Sequence, residues 1–354
     1  MTINLTPKTI EWENGDVVET ADPIRDVLEQ APLDSIVELE PGAYPRPSDI
    51  ILATRPKLMK GKDDGVRILG KGEYDTLGFG SPDCGRITFA RMLVEGSKRY
   101  AVTNWMNKGE FEDLAFHDFT IDGGFDHAAG VGHYCKAGFS FNDVSGLSLV
   151  RVEVFGIKGE QCCYTRNCGT TPGRHIYAED IHFHHCGRSG WQDVSRHNEN
   201  GGKEALGELR IRRAWFHDCG IGEGGGAFTI AGRKGWAYLE ELEVDCSPNG
   251  NAVTAWAELA PEKGKPGMTG LGVGMFGCRF NGNACKRPTI QLAAHEHVYL
   301  SRTAATAGAH ARVLEMNAAH FGMGGDVFPV GQLHANCTEN VLVGQQWHGP
   351  TRVA

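Results

Sequence analysis

The sequence predicts an all-β chain folded as a single right-handed parallel β-helix, a solenoid of short-strand coils with a short N-terminal capping helix. Three observations carry this. Strand-like segments recur roughly every 30 residues, inside the range of solenoid periods. A second, shorter series of strands keeps step with the first. The 48 glycines among 354 residues are scattered rather than placed at every third position, which excludes a collagen-like repeat and fits many tight turns.

The elements follow in order. Asp22 reads as a helix N-cap and Pro23 as the first helical position. Ile24, Val27, Leu28 and Ala31 then fall at i, i+3, i+4 and i+7 on one apolar face, and Pro32 stops the helix. A helix placed before the first coil would cover the open end of the solenoid, where an uncapped strand leaves unpaired backbone groups. Next come two alternating strands, Ile36 to Glu40, turned by Pro41-Gly42, and Val66 to Leu69, ended by Gly70-Lys71-Gly72.

From residue 111 the theme repeats: an alternating strand, a polar or cysteine-bearing turn, a glycine, and a second short strand. The first strands include Leu147 to Val154, Ile176 to Phe183, Leu209 to Phe216, Leu239 to Val244 and Val273 to Phe280. Their last apolar residues, counted from Phe119, are Phe119, Val154, Phe183, Phe216, Val244 and Phe280, in steps of 35, 29, 33, 28 and 36. Leucine-rich and ankyrin arrays are more regular, whereas loops of varying length on a β-helix would give such steps. The second strands centre on Ser140, Tyr164, Asp193, Thr229, Thr254 and Gln291. Each centre is polar or amphipathic between apolar flanks, as expected of a strand with one face in the core and one in water. The core set is Phe139, Phe141, Val194, Phe228, Ile230, Val253, Ile290 and Leu292. The domain reading is a cap over 1–35, coils over 36–345 and a C-terminal tail over 346–354. One such stack can exceed ordinary domain size because each coil packs only on its neighbours.

Composition removes several classes. With 44 acidic and 35 basic residues the net charge is −9, and no basic stripe offers a nucleic-acid surface. No apolar run approaches the ~18 residues that a membrane helix needs. The opening Met1 to Pro7 has neither the basic nor the apolar segment of a secretory signal. The 11 cysteines are odd in number and form no zinc-finger spacing. Buried reduced thiols are therefore expected, with Cys186 and Cys219 in equivalent turns of adjacent coils.

The run Ile36-Val37-Glu38-Leu39-Glu40-Pro41-Gly42-Ala43-Tyr44, followed by Val66-Arg67-Ile68-Leu69-Gly70, resembles the first coils of the pectate-lyase-like β-helix superfamily. That superfamily holds polysaccharide lyases and hydrolases, and tailspike and other particle proteins of bacteriophages. The pattern extends over residues 20–345. The resemblance implies the fold and a carbohydrate-facing role, but no catalytic residue carries over. The calcium-binding aspartates with a catalytic arginine, the paired aspartates of polygalacturonases and the Asp-Pro-His run of mannuronan epimerases are all absent.

With the second-strand centres facing water, Tyr164, Arg166, Trp191, Asp193, Ser195, Thr229, Thr254, Trp256 and Gln291 would form a stacked outward row. Strands ~4.8 Å apart make such a row long enough for several sugar rings. Tyr164, Arg166, Trp191, Trp256 and Gln291 are the candidate carbohydrate-binding residues, rings for sugar faces and polar groups for hydroxyls or carboxylates. Asp193, His197 and Glu199, in the polar run Asp193 to Gly202, are the candidate acids or bases. His182 with His184, and His295 with His297, share strand faces as metal ligands would. Two ligands do not make a site, so neither metal nor cofactor is expected, and the shared His-x-Cys-Gly turns read as structural.

Two functional readings stand side by side. One is a protein of a phage particle, a structural, decoration or tail-associated component exposed on the virion. It would be made in the host cytoplasm and would contact other virion proteins and host surface polysaccharide; homo-oligomerisation is compatible with it. The other is a polysaccharide lyase or glycoside hydrolase of the same superfamily.

Overall fold

The computed structural model describes residues 2–46, 50–70, 75–81, 83–104, 111–169, 174–195, 207–222, 226–233, 235–245, 252–256, 272–282, 287, 289–306, 312–324, 328–330, 332–343, 346–348 and 352–353. The described residues are almost all in strands and turns, with one helix among them. That helix, Pro23–Gln30, forms where its signals put it. Asp22 Oδ1 accepts from the Arg25 amide at 3.2 Å, and Pro23 takes the first turn, where a missing N–H costs nothing. Ile24, Val27 and Leu28 are buried. Arg46 donates to Asp22 in a buried ion pair that ties the helix start to the strand Gly42–Arg46. The edge of the first coil is met by a strand: Thr2–Leu5 pairs in parallel with Ile36–Leu39. The helix packs alongside.

Two ladders of parallel strands run along the stack. The long ladder passes through Ile36–Leu39, Leu58–Gly61, Ile87–Glu95, Leu114–Asp122, Leu147–Phe155, Ile176–Cys186, Leu209–Cys219 and Ala237–Asp245. The short ladder passes through Leu77–Phe79, Tyr100–Thr103, Ala137–Asn142, Cys163–Arg166, Trp191–Val194, Phe228–Ala231 and Val253–Trp256. Parallel pairing is thus present from residue 36 on, ahead of the repeat that the sequence shows from residue 111. The early coils escape the sequence pattern because their strands are only three to five residues long. From residue 290 one strand serves both ladders: Ile290–Ser301 pairs first with Val253–Trp256 and then with Gly272–Phe276. Arg312–Gly324 and Gln332–Val343 continue the stack, and Gln346–His348 and Arg352–Val353 fold back antiparallel on the last strand.

Pairing in register sends alternate side chains into one continuous core. Phe139, Phe141, Phe228, Ile230, Ile290 and Leu292 are core residues as expected; Val194 is buried but aligns with the outward Arg166 and not with the core row, and the Val253 side chain lies outside the described residues. Aromatic rings pack along and across the core: Phe89 and Phe116 stack between neighbouring coils at 5.4 Å, and Phe116 and Phe139 meet tilted across the core at 5.0 Å. Edge and offset contacts of this kind add to the burial of each ring. Ile121, rather than Phe119, is the partner of Val154. The first step of the series is therefore 33 residues, closer to its neighbours.

The bend in the middle of each long strand falls on Arg91, Asp118, Arg151, Asp180, Arg213 and Glu241, all left-handed with φ between 50 and 55°. L-residues reach this region only at a cost, so the position must gain something. Here the sign of charge alternates from coil to coil. Arg151 clasps Asp118 at 2.5 and 2.9 Å, and Arg213 clasps Asp180 at 2.6 and 2.9 Å. These are bidentate pairs, whose geometry favours one stacking register.

Cys186 and Cys219 are directly paired across neighbouring coils, in the equivalent turns expected of them. The eight cysteines whose side chains are described are buried free thiols. Burial pushes the Cys162 and Cys219 thiols well up and the Cys168 thiol to about 12. At neutral pH Cys162, Cys168 and Cys219 are protonated core fillers.

Candidate functional site

The expected outward row on the short ladder is only partly realised. Tyr164, Arg166 and Gln291 sit on the outer face, half-buried. Trp191 and Asp193 do not. Tyr164 pairs with Gln192 and Gln192 with Thr229, so Gln192 is the outward residue of its strand. The sequence reading slipped by one residue there, which reverses every side chain of the strand. Trp191 is fully buried and its indole N–H donates to Thr165 Oγ1 at 3.0 Å. Thr229 and Ser195 are also buried. The side chains of Thr254 and Trp256 lie outside the described residues, as do His197 and Glu199.

Asp193, the first candidate acid, is a core residue with 1% exposure. Thr165 donates to its Oδ1 at 2.7 Å. Arg233, equally buried, donates Nε to Oδ2 at 2.7 Å and Nη2 to Oδ1 at 2.9 Å. The same guanidinium donates to the Gly207 and Cys168 carbonyls at 2.8 and 3.1 Å. A carboxylate so engaged and so enclosed cannot reach an external glycan; its work is to hold the coils together.

The surface that matches the expected chemistry is instead the outer face of the long ladder. On the first half of three successive strands, Tyr177, Arg210 and Tyr238 stand in one column, and Glu179, Arg212 and Glu240 in the next. Together with Ile211 all but Glu179 line an open depression of about 470 Å³. The Arg210 guanidinium lies 5.4 Å from the centre of the Tyr238 ring. Tyr177 donates to Glu179, which also meets Arg213. These contacts hold the Glu179 carboxyl below the usual carboxylate range, the tyrosine hydrogen bond contributing most.

Beside the depression, Trp236 lies over Gly272 and stacks on His297 at 5.8 Å and 10°. A Cβ at Gly272 would fall 2.3 Å from the indole, so only glycine lets this ring lie flat across the strand. Trp236 stacks on Tyr238 as well, at 5.8 Å. Trp236 and Tyr299 are 36% and 38% exposed, which makes them platforms and not core. His297, a metal candidate in the sequence, stacks here on Trp236; the His295 side chain lies outside the described residues.

The second half of the same face carries the histidines. His182 and His184 project from one strand, Trp215 and His217 from the next, and Glu153 and Phe155 from the one before. Glu153 Oε1 lies 3.4 Å from His182 Nδ1 and 3.3 Å from His184 Nε2. His182 Nε2 and His217 Nε2 are 2.8 Å apart, and His217 Nδ1 is 2.8 Å from Asp218. Trp215 stacks on His182 at 4.5 Å, and Phe155 on His184 at 5.2 Å. Burial lowers the His182 imidazole and takes His184 down to about 4, with neighbouring histidines adding to both shifts. The loop Asp122 to His127 uses its carboxylates as turn caps: Asp122 accepts from the Gly124 amide and Asp126 from those of Ala128 and Ala129.

Comparison with known proteins adds likenesses of chain course. No family model and no curated protein matches this chain. Among solved structures, an alginate lyase from Paenibacillus sp. str. FPU-7 is similar, at 12% identity and TM-score 0.48 over 97% of this chain and 99% of that one. A family 28 exopolygalacturonase from Yersinia enterocolitica is similar at 9% identity and TM-score 0.43, over 99% and 80%. Tailspike protein 3 of bacteriophage CBA120 is similar at 10% identity and TM-score 0.43; 89% of this chain matches about half of that one, 51%. The resemblance read from the opening coils holds at the level of the fold.

The depression was within reach of the sequence. Tyr177, Arg210 and Tyr238 each stand six residues before Phe183, Phe216 and Val244, the residues that set the repeat. Aligning the coils on those positions places the three in one outward column.

Proposed function

We propose that this chain is a carbohydrate-binding β-helix and that it binds through the long-ladder face. The observation that carries the reading is the column Tyr177, Arg210 and Tyr238 beside Arg212 and Glu240, lining one open depression. Buried aromatics would serve the core. Half-buried tyrosines on alternate coils, next to two arginines, suit a ligand with flat apolar faces and hydroxyl or carboxylate groups. The half-buried Tyr164, Arg166 and Gln291 of the short ladder are a second contact row in this proposal.

Binding is favoured over cleavage. Asp193 is enclosed, and Glu179 is held by Tyr177 and Arg213, so neither is free to act on a bound glycan. The particle setting belongs to the same proposal: a virion-exposed component, tail-associated or decorating, that holds host surface polysaccharide. The N-terminal helix, beside the first coil, fits a capping role in that setting.

Tyr238→Ala and Arg210→Ala are expected to weaken binding of host surface polysaccharide by at least tenfold each, measured by isothermal titration or affinity electrophoresis. Their unfolding midpoints should stay near wild type, because both side chains are on the surface. Undiminished binding in both variants removes this face from the account. Release of new reducing ends or unsaturated sugars by the wild-type protein would favour the enzymatic reading instead.

A further inference from the structure

We propose that His182, His184 and His217, with Glu153, form a binding site for a borderline divalent transition ion, of which Zn2+ is the natural probe. Three coils converge on it. Residues i and i+2 of one strand share a face, and the next strand lies ~4.8 Å away. One ligand atom from each of the three histidines falls within 4.8 Å of the others. Zinc bound at ~2.0–2.1 Å needs ligand nitrogens ~3.3 Å apart, so small side-chain rotations suffice and the backbone need not move. Three imidazoles form a donor set typical of zinc and its neighbours rather than of calcium or magnesium, and the Glu153 carboxylate, 3.3 Å from His184 Nε2, supplies negative charge beside them.

His217 Nδ1 faces Asp218 Oδ2 at 2.8 Å. A proton on that Nδ1 leaves the His217 Nε2 lone pair free to accept. It lies 2.8 Å from His182 Nε2, so one shared proton bridges the two rings in the place that a metal cation would take. The Asp218 contact is also the outer-sphere carboxylate that metal-bound histidines commonly have, fixing the ring and raising its basicity. Trp215 and Phe155 clamp the His182 and His184 rings by stacking, which reduces the rotamer freedom lost on binding an ion. Glu243 follows Trp215 in the outward column and adds negative charge. Sequence reasoning stopped at two ligands because the third comes from the next coil.

The test is a Zn2+ titration of the purified full chain, against a chromophoric competitor and after chelator treatment. One equivalent is expected, with His217→Gln or His184→Gln weakening it at least a hundredfold and Asp218→Asn by about tenfold. Zn2+ should raise the unfolding midpoint of the wild type, since it ties three coils together, and leave that of His217→Gln unchanged. The wild type alone supplies a second readout, a Co2+ visible spectrum of the intensity that four-coordinate nitrogen and oxygen sites give. No binding at 100-fold excess Zn2+, or binding and Co2+ spectra unchanged by both histidine variants, would overturn the proposal.

Discussion

Asp193→Ala is expected to destabilise the protein by about 3–5 kcal/mol, the usual consequence of removing one partner from a buried ion pair. The Arg233 guanidinium would be left in the core with two backbone carbonyls and no counter-charge. Arg233→Met should cost a similar amount, because it strands the carboxylate. Replacing both, Asp193→Leu with Arg233→Met, should cost less than either alone, since apolar groups of similar volume can substitute for a buried pair. Urea unfolding of the three variants measures this. Single variants within about 1 kcal/mol of wild type would show that the pair is not enclosed.

Trp191→Ala is expected to cost about 3–5 kcal/mol as well, from the lost burial of a large side chain and the cavity left behind. The ring sits between Phe183 at 5.9 Å and Phe228 at 6.3 Å. Its loss also deprives Thr165 of the indole donor while Thr165 still serves Asp193. The costs of Trp191→Ala and Asp193→Ala therefore should not add, because the two residues share Thr165. Had Trp191 faced the solvent, the same substitution would be nearly silent in urea unfolding and visible only in glycan binding. The two outcomes separate the orientations directly.

The coil architecture was legible in the sequence because it is written twice, in strands that end on Val154, Phe183, Phe216, Val244 and Phe280 and in shorter strands that follow each. The orientation of one strand was not. Gln192 and Asp193 are both polar, so alternation alone cannot choose which faces water, and solvent is the ordinary place for a lone aspartate. Its partner Arg233 stands 40 residues away, beyond the next strand, and nothing local announces it. The charge ladder was visible but unread. Arg91, Asp118, Arg151, Asp180, Arg213 and Glu241 alternate in sign at the spacing of the coils, and each marks a bend that propensity would assign to glycine or asparagine. The column Tyr177, Arg210 and Tyr238 was passed over for a related reason: the short strands drew attention by their polar centres, while the outward residues of the long strands read as plain alternation.

The most direct test of the account is hydroxyl-radical footprinting of the aromatic side chains with and without host surface oligosaccharide. Binding on the long ladder predicts that oxidation of Tyr177, Trp236 and Tyr238 falls on adding glycan, while Tyr164 on the short ladder changes less. Protection confined to Tyr164, or no protection of Tyr177, Trp236 and Tyr238 at glycan concentrations that saturate binding, would contradict it.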